Sequence, residues 1–317
     1  MILPLIFRLA RQRHHFYSSP ARSLRILADL AANLPRQVEI LRVLARPVFA
    51  GLLRANPILP FKFLTRGFLA RELTVAQRAS GFAHHYRQLD ARFPPDKLRQ
   101  IFDAGLPLHE MHDGANEFAI VLGLPTDVDR EGELALKLTL NGELIYVLQF
   151  TIVPGPVAGS DAAETVLISR IQGVKGRYLQ IRSATKTFNE VAPAALLVTA
   201  LAGMAQAWKI GEMAGVSATG QFCYDPAYGA VFEDAYDTFF QALGATRAES
   251  GFYRSPLPLR EKPLDLVKNG HKARTREKRA FRRKIAREVC QMIQRSCLEA
   301  CVQPGSLAFG VLNSSRS

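Results

Sequence analysis

The feature that most constrains this chain is a change of hydrophobic period part-way along it. Up to about residue 104 the apolar side chains recur at helical spacing. From Phe118 they alternate instead: Phe118, Ile120, Leu122 and Leu124, then Leu134, Leu136, Leu138 and Leu140, then Leu144, Tyr146, Leu148, Phe150 and Ile152. A period of two lines one face of a strand, whereas a period near 3.6 lines one stripe of a helix, so the two stretches cannot share a conformation. Asn141-Gly142 separates the last two alternating runs, and this dipeptide supplies the positive φ angles that a two-residue hairpin turn requires. The middle of the chain is therefore expected to form an antiparallel meander with one greasy face.

The flanking segments complete the prediction. Leu24, Leu27 and Leu30 form one stripe and Val38, Leu41, Leu44 and Val48 another, with Pro35 and Pro47 dividing residues 21–54 into two or three short helices. Thr74 and Gln77 make a capping box for a helix carrying Ala79, Phe82, Tyr86 and Leu89. Residues 96–104 form a short helix closed by Gly105. After the meander, Val166–Ile171 reads as a strand, Tyr178–Arg182 as a short one, and Pro193–Lys209 as a helix ended by Gly211. Glu212–Ser217 then reads as a strand, Glu233–Leu243 as a helix stopped by Gly244, and Phe252–Arg254 as a last strand. This order predicts an α/β (α+β) fold in which N-terminal helices precede a largely antiparallel sheet flanked by helices. The chain divides into a basic helical segment (1–66), an α/β core (67–262) and a basic terminal helix with its tail (263–317).

Charge sharpens that division. The 317 residues carry a net charge of +13. Residues 1–100 hold 17 basic and 5 acidic side chains, residues 101–267 hold 12 and 20, and residues 268–287 hold 10 and 1. Two basic arms thus flank an acidic middle, which suits contact with a polyanionic surface through residues 1–54 and 268–287. Phe281 is the one aromatic in the terminal basic run, so nucleic-acid readout is the weaker expectation and anionic lipid the stronger. No apolar run reaches the length of a membrane span. The apolar start through Phe7 is followed, not preceded, by Arg8, Arg11 and Arg13, the reverse of a secretory signal. Such a start reads either as an amphipathic segment on a membrane surface or as leucines docked on the protein's own core. Four cysteines without a paired framework suit a reducing, cytoplasmic compartment. No metal is expected, because His109 and His112 fall on opposite faces of a strand and Cys290, Cys297 and Cys301 lack zinc-site spacing.

Chemistry concentrates between Arg170 and Lys186. This stretch holds Arg170, Lys175, Arg177, Arg182 and Lys186 with no acid, and Gly173 and Gly176 directly follow a strand. Glycines let backbone amides come close to a ligand, and amides beside cations suit a pyrophosphate. Read as plain structure, the same residues make a surface hairpin whose glycines only turn the chain.

Several motifs in order resemble the VirK/YbjX family, a family of unknown biochemical function, over roughly residues 20–290. They are Pro60-Phe61-Lys62-Phe63-Leu64, His85-Tyr86, Ile171-Gln172-Gly173, Ala184-Thr185-Lys186, Ala214-Gly215-Val216-Ser217 and the run Ala235–Phe240. The resemblance implies a bacterial protein linked to virulence, envelope integrity and resistance to cationic peptides, cytoplasmic or peripheral to the inner membrane. The family's arginine before the long helix is replaced here by Glu190-Val191-Ala192-Pro193. In the order of its elements the chain is also similar to GNAT-type acyltransferases, whose Gln/Arg-x-x-Gly-x-Gly/Ala loop holds coenzyme A. Arg170-Ile171-Gln172-Gly173-Val174-Lys175 follows that pattern except for Lys175 at the small final position. That resemblance implies acyl or aminoacyl transfer with acyl-CoA as cofactor, bound by Arg170, Gln172, Gly173, Lys175, Gly176, Arg177 and Lys186. Glu164 would then serve as base, and Tyr224 or Tyr228 as the acid for the departing thiolate. The alternative reading is a non-enzymatic factor that binds anionic lipid or RNA through its basic arms.

Overall fold

The alternating runs become neighbouring strands of one eight-stranded sheet. The computed structural model describes residues 28–125 and 131–298, so the arginine-bearing start, Leu24, Leu27 and Cys301 lie outside the described residues. β1 (Leu106–Asp113), β2 (Asn116–Gly123), β3 (Leu134–Leu140), β4 (Glu143–Pro154) and β5 (Glu164–Gly173) follow one another antiparallel. β6 (Glu212–Gly215) lies beside β5 and runs parallel to it. β8 (Tyr253–Pro256) then inserts between β6 and the two-residue β7 (Thr246–Arg247), giving the order β1-β2-β3-β4-β5-β6-β8-β7. The hairpin turn sits where the dipeptide placed it, with φ of 51° at Asn141 and 79° at Gly142. The Asn141 side chain also accepts the Glu117 amide at 2.8 Å.

The helices cover this sheet. Before it come α1 (Leu34–Leu44), α2 (Ala50–Ala55), α3 (Val75–Arg92) and α4 (Pro95–Asp103). Pro35 lies in the first turn of α1, where a missing N–H costs nothing. The capping box of α3 is formed in both directions between Thr74 and Gln77. Between β5 and β6 lie α5 (Tyr178–Thr187) and α6 (Pro193–Ala207). After β6 comes α7, a turn Gly229–Phe232 running through a π-helical stretch Glu233–Thr238 into Phe239–Ala242, and the last described helix is α8 (Lys272–Leu298). α6 is apolar nearly all round because it is sandwiched between the sheet and α8. In β4 every residue from Val147 to Val153 is buried, so both faces of the sheet are covered at its centre.

Three local expectations change. Tyr178–Arg182 is not a strand but the start of α5: Gly176, at φ 83°, turns the chain out of the sheet. Without a neighbouring strand to pair its backbone, that segment satisfies its amides as a helix. The left-handed residue that ends α6 is Lys209, at φ 60°, not Gly211. β6 stops at Gly215, where an added Cβ would fall 2.2 Å from the Phe240 ring. The division by charge is also not a division of core, since Ile40 and Phe63, the meander leucines, and Ile285, Val289 and Ile293 belong to one contiguous cluster.

Candidate functional site

The sheet opens next to its one described parallel pairing. β5 and β6 are in register over only Val166–Ile168 and Met213–Gly215, and the Val216 amide makes a last bond to the Ile168 carbonyl. A bulge in β5 coincides with the end of this pairing. Arg170 pairs with Gln149 and Ile168 with Phe150, leaving Ser169 as an extra residue in β5. A bulge bends its own strand and adds twist, and the region beyond Ile168, where β5 no longer pairs with β6, forms the wedge. β6 then turns at Ser217 into the 3-10 turn Ala218–Gly220.

Three segments line this wedge. From α7, Tyr236 is buried, with its phenol beside the Ile171 backbone, Arg170 and Glu131. Burial raises the phenol's pKa and the nearby Glu131 carboxylate raises it further, against the opposing pull of Arg170. The π-turn that presents Tyr236 is anchored by Asp237, which accepts the Ala218 amide at 2.8 Å. Glu131-Gly132-Glu133 runs against the bulge: a Cβ on Gly132 would lie 2.9 Å from the Ser169 hydroxyl and the Phe150 amide. Arg170 meets Glu131 at 3.5 Å and donates to Gln172 at 2.8 Å. The chain around Leu69 closes the far side, with the Leu69 amide on the Glu131 carbonyl at 2.9 Å and the Arg71 amide on the Gly220 carbonyl at 3.0 Å.

Behind Glu131 lies a buried ionic network. Lys62 contacts the Glu133 carboxylate at 2.6 Å and donates to the Gly132 carbonyl at 2.8 Å, while Tyr86 donates to the other Glu133 oxygen at 2.5 Å. His85 is fully buried, and its Nδ1 accepts the Ile152 amide at 3.1 Å. Desolvation first, and the Lys62 charge second, hold its pKa well below the ordinary histidine value. This network holds the Glu131–Glu133 segment through Gly132 and Glu133.

The predicted site residues separate into groups. Arg170 and Gln172 border the wedge. Lys175 and Gly176 are exposed on the turn into α5, Lys186 is exposed in the last turn of α5 at its far end, and Arg177 pairs with Glu143 at 2.7 Å. A Cβ at Gly173 would meet Ile181 at 2.8 Å and the Tyr146 ring at 3.2 Å, so the protein's own side chains fill that position. Gly176 has nothing within 4 Å of an added Cβ, and this part of the turn is open. Glu164 is not brought to the wedge. It begins β5 at the opposite end from Gly173, bound to Arg92 and, at 3.2 Å, to His84. Tyr224 packs against Phe232, with ring centroids 5.5 Å apart, and Tyr228 is exposed. Tyr236 and Glu131 are the residues the sequence reading passed over. The available signals were Tyr236 inside the run Ala235–Phe240 and two acids flanking a glycine at the mouth of an apolar strand.

No helix among the described residues is long and apolar enough to cross a membrane. A family model described as "Protein of unknown function (DUF535)" matches residues 18–291, and this is the family that the VirK/YbjX motifs indicated. No curated protein and no solved structure matches the chain.

Proposed function

The chain belongs to the DUF535 family of proteins of unknown function, and from that premise we propose that it is an acyltransferase of GNAT-like layout whose reactive centre is the wedge between β5 and β6. The observation that carries this reading is the bulge at Ser169, where the β5–β6 pairing ends and beside which Tyr236 is buried next to Glu131 and Arg170. The order of elements supports it as well: an antiparallel meander, helices, a parallel neighbour strand, a helix and a last strand inserted beside β6.

The residues divide the work as acyl transfer requires. A phenol is protonated at neutral pH, so Tyr236 carries a proton that can pass to a sulfur as the carbon–sulfur bond breaks. Glu131, held by Arg170 at 3.5 Å, is the carboxylate placed to take the proton leaving the acceptor's amine or hydroxyl. An acyl-CoA donor would supply an activated acyl group as a thioester. Its pyrophosphate would be held by Lys175, the open Gly176 turn and the first amides of α5, which a helix start leaves without internal partners. Gly173 contributes nothing to that cradle, because Ile181 and Tyr146 occupy it.

Thermal-shift titration with coenzyme A and acyl-CoAs of several chain lengths, alongside a thiol-release assay, tests the reading. Tyr236→Phe is expected to keep acyl-CoA binding while slowing thiol release by about 10²-fold. Absence of binding by every acyl-CoA would remove it. A second reading, attachment to an anionic surface, is favoured by Arg276 and Arg287 of α8, both exposed and without a carboxylate partner among the described residues. In either case the proposed setting is the bacterial envelope, which the resemblance to the VirK/YbjX family implies.

A further inference from the structure

Away from the wedge, α6, the first half of α8 and the chain joining β8 to α8 enclose a cavity of about 670 Å³. Its floor is mostly apolar, made by Ala195 and Ala202 of α6, Leu243 after α7, and Leu257 and Leu259 of the joining chain, with Thr199 and Gln206 of α6 adding two polar groups. Its rim is cationic. Arg260 and Lys262 come from the joining chain, Lys209 from the end of α6, and Lys278, Arg279, Arg282 and Arg283 from α8. Only two carboxylates line the same space, Glu190 and Glu261.

Those two acids do not balance the rim. Glu261 is shared among Arg283 at 2.9 Å, Arg282 at 3.7 Å and Arg279 at 3.8 Å. Glu190 is engaged by Arg274 at 3.1 Å. Lys209, Arg260, Lys262 and Lys278 have no carboxylate partner among the described residues. Excess positive charge therefore faces a mostly apolar floor in a space within the roughly 300–1,000 Å³ range of small-ligand sites. A small phosphate would leave the floor wet, and an uncharged lipid would leave the cations unmatched. A molecule that satisfies both surfaces has an anionic head and an alkyl tail.

We propose that this cavity binds a phosphate-headed, single-chain amphiphile as an individual molecule, the tail on the Ala195 and Ala202 floor and the phosphate among Arg260, Lys278 and Arg282. None of the residues lining the cavity belongs to the wedge, so the assignment stands apart from the acyl-transfer reading. The full chain, titrated calorimetrically with dodecyl phosphate below its micelle concentration, should bind one equivalent at least about tenfold more tightly than butyl phosphate or dodecyl maltoside. Lys278→Gln combined with Arg282→Gln should weaken dodecyl phosphate by about tenfold or more. Ala202→Phe from the floor should abolish binding, and Thr275→Trp at the edge of the cavity provides the same readout should the floor variant not fold. Butyl phosphate binding equally well would mean a plain phosphate site, and dodecyl maltoside binding equally well would mean an uncharged groove. Binding to phosphatidylglycerol vesicles but not to the monomeric amphiphile would mean a surface contact. Each of those results, or dodecyl phosphate affinity unchanged in a folded Ala202→Phe or Thr275→Trp variant, overturns the proposal.

Discussion

At the scale of single residues, the buried network beside the wedge sets how the protein responds to acid and to charge removal. His85 accepts the Ile152 amide through Nδ1, so its ring is neutral with the proton on Nε2, and burial lowers its pKa well below 6.5. The sign follows directly. Below 6.5 the unfolded chain takes up a proton that the folded chain refuses, so stability is full above that value and falls with pH below it. His84 and His109 shift the same way, burial being the main cause in each. The denaturation midpoint should therefore drop between pH 7 and pH 5, and His85→Asn, whose amide oxygen can still accept the Ile152 amide, should flatten that slope. An unchanged slope would mean that His85 is not among the groups responsible. Lys62→Met has a larger effect at neutral pH. It strands the Glu133 carboxylate, 1% exposed, with only Tyr86 and nearby backbone for company. Removing one partner of a buried ion pair costs about 3–5 kcal/mol, and urea unfolding at pH 7 reads it. A loss below about 1 kcal/mol would show that the pair is solvated.

At the scale of elements, close approach decides where glycine is required. α6 and α8 touch at Gly203, where a Cβ would fall 2.3 Å from the Ala286 carbonyl oxygen. Alanine is favoured over glycine inside a helix by about 1 kcal/mol, so Gly203→Ala would stabilise an isolated α6. Here the obstacle is backbone, which cannot rotate away, and overpacking of this kind costs about 1–3 kcal/mol. The net expectation is a lower melting temperature, whereas a stabilised Gly203→Ala protein would mean that the helices separate freely. Nothing in the apolar pattern of α6 announces this glycine, because its requirement comes from a helix more than 80 residues away in sequence. The contrast with the meander is instructive. Alternation, Asn141-Gly142 and the Thr74–Gln77 box are local signals, and each was legible. α5 was misread because Tyr178–Arg182 offers strand-forming residues but no strand to pair with. The bulge at Ser169 and the end of the β5–β6 pairing are properties of three strands together, so the spacing of Arg170 and Gln172 could not announce that Glu131 and Tyr236 lie beside them.

At the scale of the whole molecule, the basic terminal helix serves two physical roles that the charge profile alone merges. One face of α8 carries Ile285, Val289 and Ile293, each no more than 1% exposed, into the common core. The remaining surface carries exposed Arg276, Lys284 and Arg287. Fully burying an aliphatic side chain contributes about 1.5–3 kcal/mol, so three of them rival the roughly 5–15 kcal/mol by which a domain is stable. Deleting residues 268–317 should therefore abolish cooperative unfolding, and a lost partner in that truncation would say nothing about charge. Arg276→Glu combined with Arg287→Glu keeps the buried face and should leave stability within about 1 kcal/mol, because both sites are exposed. Near-ultraviolet circular dichroism and thermal melts of the two proteins separate the roles. A truncated protein that still melts cooperatively near the full-length temperature would make α8 an appendage. A charge-swapped protein that loses its fold would make those arginines structural. If both behave as expected, binding of the charge-swapped protein to anionic vesicles isolates the electrostatic contribution of α8 on an intact scaffold. Each arginine near such a surface contributes about 1 kcal/mol, so reversing two should weaken adsorption at least tenfold if α8 is the contact.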